Sequence, residues 1–336
     1  MFNCLPGIGL DIGDNKIKLA RVKRRRDGLQ LIKYGSMLTP AGAVDAGVIS
    51  DPERLGKELK GLVRDLNFNG KKVVSAVTGQ QVYTRNLILP RMKLNELKEA
   101  VHYQAMNFLP IPVEEAAIDI FPLREFDDEE GKKTEVFFVA VRRQQVENLD
   151  IVCHTAGLKL AVVEIEPLAL YRVLGGNAES VVAFLELGSS RSYFAVFKGT
   201  ILVFYRSLPF SSSIFYQILS INQAYGHGGF EEFEVSEDEQ FDYLLRDIIF
   251  EMKRSMEYYD LQDETGNEEI DKFLLCGEGS AIRGLDSRLT EGLGRKVEVA
   301  EILPWIILPP HISQAEKLEL KYDFTVVLGL AAREVV

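Results

Sequence analysis

Cysteine is scarce in these 336 residues, with only Cys4, Cys153 and Cys276. An odd, widely spaced set without nearby histidines supports neither a disulfide framework nor a zinc site, and it fits a reducing compartment. Basic charge is short too, since 39 Lys and Arg against 50 Asp and Glu leave a formal net charge of −11. That balance excludes a general nucleic-acid binder, which needs a basic face to neutralise phosphate. The one dense basic run, Lys23-Arg24-Arg25-Arg26, lies between two strand-like segments. It reads as a solvated hairpin tip or as a contact for anionic headgroups or an acidic partner. Long apolar runs are missing as well: no window reaches the roughly eighteen residues of a membrane span, and Met1 to Leu10 is not a cationic leader followed by such a run. The expectation is a cytoplasmic chain that does not cross a membrane by itself.

What is present is enough apolar material, 46% of the chain, for a sizeable core, and a length that suits two lobes. Two distant segments look like copies. Leu10-Asp11-Ile12-Gly13 runs into Ile17 to Val22, and Leu185-Glu186-Leu187-Gly188 runs into Tyr193 to Phe197. Each is followed by a second strand, Leu29 to Tyr34 and Thr200 to Arg206, after turns that carry Gly28 and Gly199. The repetition suggests a duplicated α/β domain with a cleft between the copies.

Between them the texture changes. Lys72 to Val77 and Val82 to Leu89 read as strands. Leu94, Leu97, Val101, Ala105 and Phe108 then recur at helical spacing until Pro110-Ile111-Pro112 ends the helix. Strands are expected at Ala117 to Leu123 and Glu135 to Val141, with the acidic stretch Glu125 to Gly131 as a polar loop and a helix at Asn148 to Ala156 stopped by Gly157. These elements form a small α+β module inserted into the first half. Later, Phe241, Leu244, Leu245, Ile248, Met252, Met256 and Tyr259 mark one long amphipathic helix. Glu251 and Arg254, on another of its faces, are either a surface ion pair or a ligand contact. Glu231 to Gln240 reads as an acidic loop or lid.

Three turns can carry chemistry. The strand ending in Asp11 turns through Gly13 and Asn15, and so can bring a carboxylate and backbone N–H groups to one point, which suits a Mg²⁺-bound polyphosphate; Lys16 or Lys18 adds positive charge. The second turn, Glu186-Leu187-Gly188-Ser189-Ser190-Arg191, offers a matching carboxylate, hydroxyls and N–H groups. Together they would clamp a phosphate chain, with Asp11 and Glu186 as the candidate metal-side carboxylates. The third, Gly277-Glu278-Gly279-Ser280, follows a buried strand and is expected to open a helix through Ile282 to Leu289, letting backbone approach a base or ribose.

With these three turns in this order, the chain resembles the superfamily of actin, sugar kinases and heat-shock chaperone ATPases, and within it the PilM family of type IV pilus assembly proteins. The likeness to that family also rests on Gln80 through Pro90, Leu94-Asn95-Glu96-Leu97-Lys98-Glu99-Ala100, Asn107-Phe108-Leu109-Pro110-Ile111-Pro112, Glu251 to Tyr259, and Gly329-Leu330-Ala331-Ala332-Arg333. It covers nearly the whole chain. The resemblance implies a bilobal actin-like, duplicated ribonuclease H-like fold, with residues 1–79 and 164–179 as the first lobe, 80–163 as the inserted module, and 180–336 as the second lobe with a helical subdomain at about 211–262. It implies ATP and Mg²⁺ as ligands, with slow or absent hydrolysis. It also implies a partner, the cytoplasmic N-terminal peptide of a PilN-like inner-membrane protein, with pilus motor ATPases and further copies of the chain as other candidates; membrane contact would be indirect.

The family's peptide groove lies between first lobe and inserted module, and is expected here near Val82, Leu87, Leu97, Val101 and Phe108. Departures from the family pattern are Glu186 for an aspartate, Glu278 for the second glycine of a pair, and Pro209-Phe210 for another glycine pair; each is expected to weaken nucleotide binding. The competing readings are a small-molecule kinase, which needs a general base that only Asp14 approaches, and a cell-division relative of the FtsA type, whose C-terminal amphipathic helix has no counterpart before Val336. A type II secretion platform of the same fold would carry its own transmembrane segment.

Overall fold

The computed structural model describes residues 7–77, 82–174, 180–218, 232–234, 239–262 and 269–333. In chain order the main elements begin with β1 (Gly7–Ile12), β2 (Lys16–Arg25), β3 (Gly28–Leu38), α1 (Pro52–Asp65), β4 (Lys72–Val77), β5 (Val82–Pro90) and α2 (Leu94–Ala105). They continue with β6 (Ala116–Asp128), β7 (Gly131–Arg142), α3 (Arg143–Ala156), β8 (Lys159–Ile165), α4 (Glu166–Leu174), β9 (Val181–Leu187), β10 (Ser192–Lys198) and β11 (Ile201–Leu208). The remainder is α5 (Ser212–Ile218), α6 (Glu239–Gln262), β12 (Lys272–Cys276), α7 (Leu285–Leu293), β13 (Val297–Val299), α8 (Gln314–Tyr322) and α9 (Thr325–Ala332).

The duplication read from the sequence is real at the level of topology. One sheet runs β8-β4-β1-β2-β3, extended beyond β3 by the short strand Ile306–Ile307, and another runs β11-β10-β9-β12-β13. In both, a three-stranded antiparallel meander is followed by two parallel additions on the side of its first strand. Even the turns match. Gly13 N–H donates to Lys16 O at 2.9 Å and Gly188 N–H to Arg191 O at 3.0 Å, so the tight bend after β1 recurs after β9. A Cβ at either glycine would lie 3.0 or 2.7 Å from that carbonyl oxygen, which is why each bend carries glycine.

A third sheet, β5-β7-β6, stands apart with α2 on one face. The acidic stretch expected to be a loop is instead strand: β6 and β7 pair until Asp128↔Gly131. Its side chains are mostly exposed, so no alternation of burial marks it as strand. Two elements grouped with the inserted module pack elsewhere. Leu149, Val152 and Cys153 of α3 share a core with Leu55, Leu59 and Val63 of α1, and β8 pairs with β4 in the first sheet. Cys153 and Cys276 are both free and buried.

Residues 231–240 include the expected acidic lid. Phe233–Glu234 pairs with Ile282–Arg283, α6 begins at Glu239, and positions 231 and 235–238 lie outside the described residues. No described helix is long and apolar enough to cross a membrane.

Candidate functional site

The three turns converge. Asp11, Gly13 and Lys18, Gly188 to Arg191, and Gly277 with Glu278 line one cleft between the two large sheets. Its free volume is about 70 Å³, room for a few waters. Glu186 reaches into the same cleft, and a Cβ at Gly277 would lie 2.5 Å from its Oε1. Closing the cleft from the other side are Tyr322, Asp323 and Thr325 at the junction of α8 and α9.

Asp323 is the residue that sequence reasoning missed, and it dominates the electrostatics. Its side chain is 1% exposed and takes both lysines of the first hairpin: Lys18 Nζ at 2.5 Å and Lys16 Nζ at 2.9 Å. Lys18 also pairs with Asp11 at 3.4 Å and Lys16 with Glu319 at 3.2 Å. Burial would drive the Asp323 carboxyl upward, but the two ammonium groups outweigh it and bring it down to about 2. For Lys18, burial works against the charge, and Asp323 and Asp11 together hold it above the ordinary lysine value. Glu278 behaves in the opposite sense. It is 5% exposed with Oε2 unpartnered, and burial followed by the Asp323 charge pushes it up to about 8. Burial, then the neighbouring Glu166, raises Glu186 well above the carboxylate range.

Two of the backbone donors expected to meet phosphate are spent, because the Gly13 and Gly188 N–H groups close their own turns. Asn15 uses its carbonyl to hold Thr39 N–H and does not line the cleft. Ser280 Oγ donates to Gly277 O and Ser280 N–H does the same, so this residue closes the third turn from within. Gly279 sits against Leu187, with no room for a Cβ. The expected helix after this turn starts only at Leu285: Glu278–Ala281 is a 3-10 turn and Ile282–Arg283 a short strand, so that helix does not open at the turn; the helix starts that line the cleft are those of α4, at Glu166, and α9, at Thr325 and Val326. Arg191 is available to a ligand: its Nη1 is buried without a hydrogen-bond partner and its Nε lies 3.6 Å from Asp14 across the cleft. Asp14 also accepts from Gly47 N–H at 3.0 Å, a contact across 33 positions and not the local turn bond expected of it.

Glu251 and Arg254 are not in this cleft. They line a second cavity of about 610 Å³ between the start of β5, the end of α2, β11 and α6, together with Pro209. Glu251 pairs with Arg206 at 2.6 Å and with Arg254 at 3.5 Å, the ion-pair alternative. Pro209 does not line the cleft, but Ser212 and Ser213, just after Pro209-Phe210, donate through their N–H groups to Gly188 O at 2.8 Å and Ser189 O at 3.3 Å in the second turn. Val82 and Phe108 line this second cavity too, whereas Leu87, Leu97 and Val101 are the buried core between α2 and the third sheet. Leu97, Val101 and Ala105 of the α2 stripe thus pack on their own sheet, while Leu94 is exposed.

A third cavity, about 570 Å³, is lined mainly by apolar side chains. It lies where β6, β8 and the start of β11 meet, lined by Ile118, Phe121, Val139, Val163, Leu168 and Ile201 among other apolar side chains. Each of β6, β8 and β11 is the last strand of its sheet. Among the described residues these three strands pair on one side only, and residues of all three line the same largely apolar space.

Among the described residues, no group of three or more His, Cys, Asp or Glu is placed to hold a metal ion. Among solved structures, the chain is similar to one described as "PilM-PilN type IV pilus biogenesis complex", with 25% identity, 99% of each chain covered and a TM-score of 0.81. It is also similar to the ethanolamine utilization protein EutJ from Carboxydothermus hydrogenoformans, with 15% identity, 97% of this chain and 89% of that one covered, and a TM-score of 0.53, a likeness of fold alone. The fold is thus actin-like, α/β and duplicated. The family model of the type IV pilus assembly protein PilM matches residues 9–335, and the chain belongs to that family.

Proposed function

We propose that this chain is an adaptor of type IV pilus assembly that receives the cytoplasmic N-terminal peptide of a PilN-like membrane protein in the cavity between β6, β8 and β11, and is thereby held at the inner face of the cytoplasmic membrane. The observation that carries this reading is the convergence of three terminal sheet strands on one apolar cavity. An extended peptide there would gain main-chain hydrogen bonds from an edge and bury alternate side chains. The solved PilM-PilN complex, similar over the full length, supports the same partner. A synthetic peptide of the cognate PilN-like N-terminus, followed by fluorescence anisotropy, tests it. Phe121→Asp and Ile201→Asp should each weaken binding at least tenfold, since a buried apolar anchor contributes roughly 1.5–3 kcal/mol. Phe121 is 63% exposed, so the fold survives the change. Unchanged affinity in both variants would refute the groove.

The first cleft is proposed to take ATP with Mg²⁺, the phosphates meeting Arg191 and Lys18 and the ion held by phosphate oxygens with Asp11 and Glu186, directly or through water. Arg191 fits this, as a partly buried guanidinium whose buried Nη1 awaits an anion. The narrow cleft requires the two large sheets to part first, opening the Asp14–Arg191 contact. Calorimetric titration with ATP and Mg²⁺ should show an affinity at least tenfold lower in Arg191→Ala. Equal affinity would place the phosphates elsewhere.

A further inference from the structure

The family-like terminal motif Gly329-Leu330-Ala331-Ala332-Arg333 has a role that packing alone does not exhaust. Gly329 lets α9 touch α4, and Arg333, just past the end of α9, reaches the apolar cavity. There it donates through Nη1 to Glu164 Oε2, and its side chain stays 41% exposed. Glu164 does not need it. Arg172 already holds both oxygens of that carboxylate at 2.9 Å, with Glu164 only 2% exposed. Two guanidiniums on one carboxylate leave a local surplus of one positive charge at the polar end of an apolar groove. The other charged group lining the groove is Asp119 on β6, whose Oδ1 accepts from Ile120 N–H.

We infer that Arg333 is a specificity-determining residue, which reads one acidic side chain flanking the apolar run of the bound peptide. The inference rests on the peptide-binding reading above and names the chemistry of its polar contact. Glu164 and Arg172 set the Arg333 guanidinium in place, and its remaining N–H groups form the fork that suits a carboxylate. A partner segment with apolar residues only would fill the cavity and leave this contact unmade.

The test is a host–guest series on the PilN-like peptide, with Asp, Asn or Leu substituted in turn at each position beside the apolar run, measured against wild type, Arg333→Met and Arg333→Lys. Circular dichroism should show the variants folded, because Glu164 retains Arg172. In wild type, one position should favour Asp over Leu by roughly tenfold or more, the size of one charge-assisted hydrogen bond. Asn should fall between them, separating charge from hydrogen bonding. Arg333→Met should erase the preference at that position, so that the Asp and Leu peptides bind this variant alike, and Arg333→Lys should restore only part. If the peptide binds wild type but no position shows an Arg333-dependent preference, the inference is overturned while the groove stands. If no peptide of the series binds wild type, both fall.

Discussion

Asp323→Ala should lower folding stability by about 3–5 kcal/mol, the usual consequence of leaving a buried charge unpaired. Lys18, only 11% exposed at its side chain, would keep Asp11 at 3.4 Å and lose the closer contact at 2.5 Å, while Lys16 would keep Glu319. The loss should depend on pH. Asp323 titrates at about 2 in the folded protein, below the unfolded value near ~3.9, so its stabilisation is present above pH ~4 and disappears as pH falls toward 2. Glu278 works the other way. Its folded value of about 8 lies above the unfolded one, so its stabilisation is full below pH ~4.3 and is lost as pH rises toward 8. Urea unfolding at pH 3, 5 and 8 should therefore show the gap between wild type and Asp323→Ala shrinking at pH 3. Glu278→Gln should gain on wild type between pH 5 and 8. A constant gap across all three values would mean that the Asp323 ion pairs do not act as described.

Gly329→Ala is the second large effect. A Cβ there would stand 1.9 Å from Ala169 O and 2.5 Å from its carbonyl carbon, both backbone atoms that cannot swing aside. The helices α4 and α9 must separate, which also disturbs the 2.6 Å hydrogen bond from Arg172 Nη1 to Gly329 O. A cost of about 3 kcal/mol is expected, at the upper end of what overpacking does. Gly61 provides the contrast. It lies inside α1 with nothing within 4 Å of an added Cβ, so Gly61→Ala should stabilise by roughly 0.5–1 kcal/mol through helix propensity. Thermal melts of the two variants should move in opposite directions.

Much of this architecture was legible because the sequence repeats it. The strands after Gly13 and Gly188 carry alternation or continuous apolar runs, and their turns need glycine for a visible steric reason. Local pattern also identified the stripe of α6, where Phe241, Ile248 and Met252 are buried. Three features were not legible, each for its own reason. Asp323 is one polar residue between Tyr322 and Phe324 in an apolar terminal stretch; its importance comes from lysines about three hundred positions away. The outer parts of β6 and β7 are polar on both faces, so strand and loop look alike there. The candidate peptide groove is made of strand edges, and which strand ends a sheet follows from topology, not from residue type. The stripe of Leu97 and Val101 looked like a docking face for the same reason: periodicity shows that a helix has an apolar side and is silent on what covers it.

Amide hydrogen–deuterium exchange with and without saturating PilN-like peptide tests the central claim most directly. A peptide seated between β6, β8 and β11 should slow exchange at edge amides around Ile118 to Leu123, Val163 to Ile165 and Ile201 to Leu202, and leave α2 unchanged. Protection confined to α2 and the start of β5, around Val82 to Arg85 and Phe108, would contradict the account and move the partner to the second cavity.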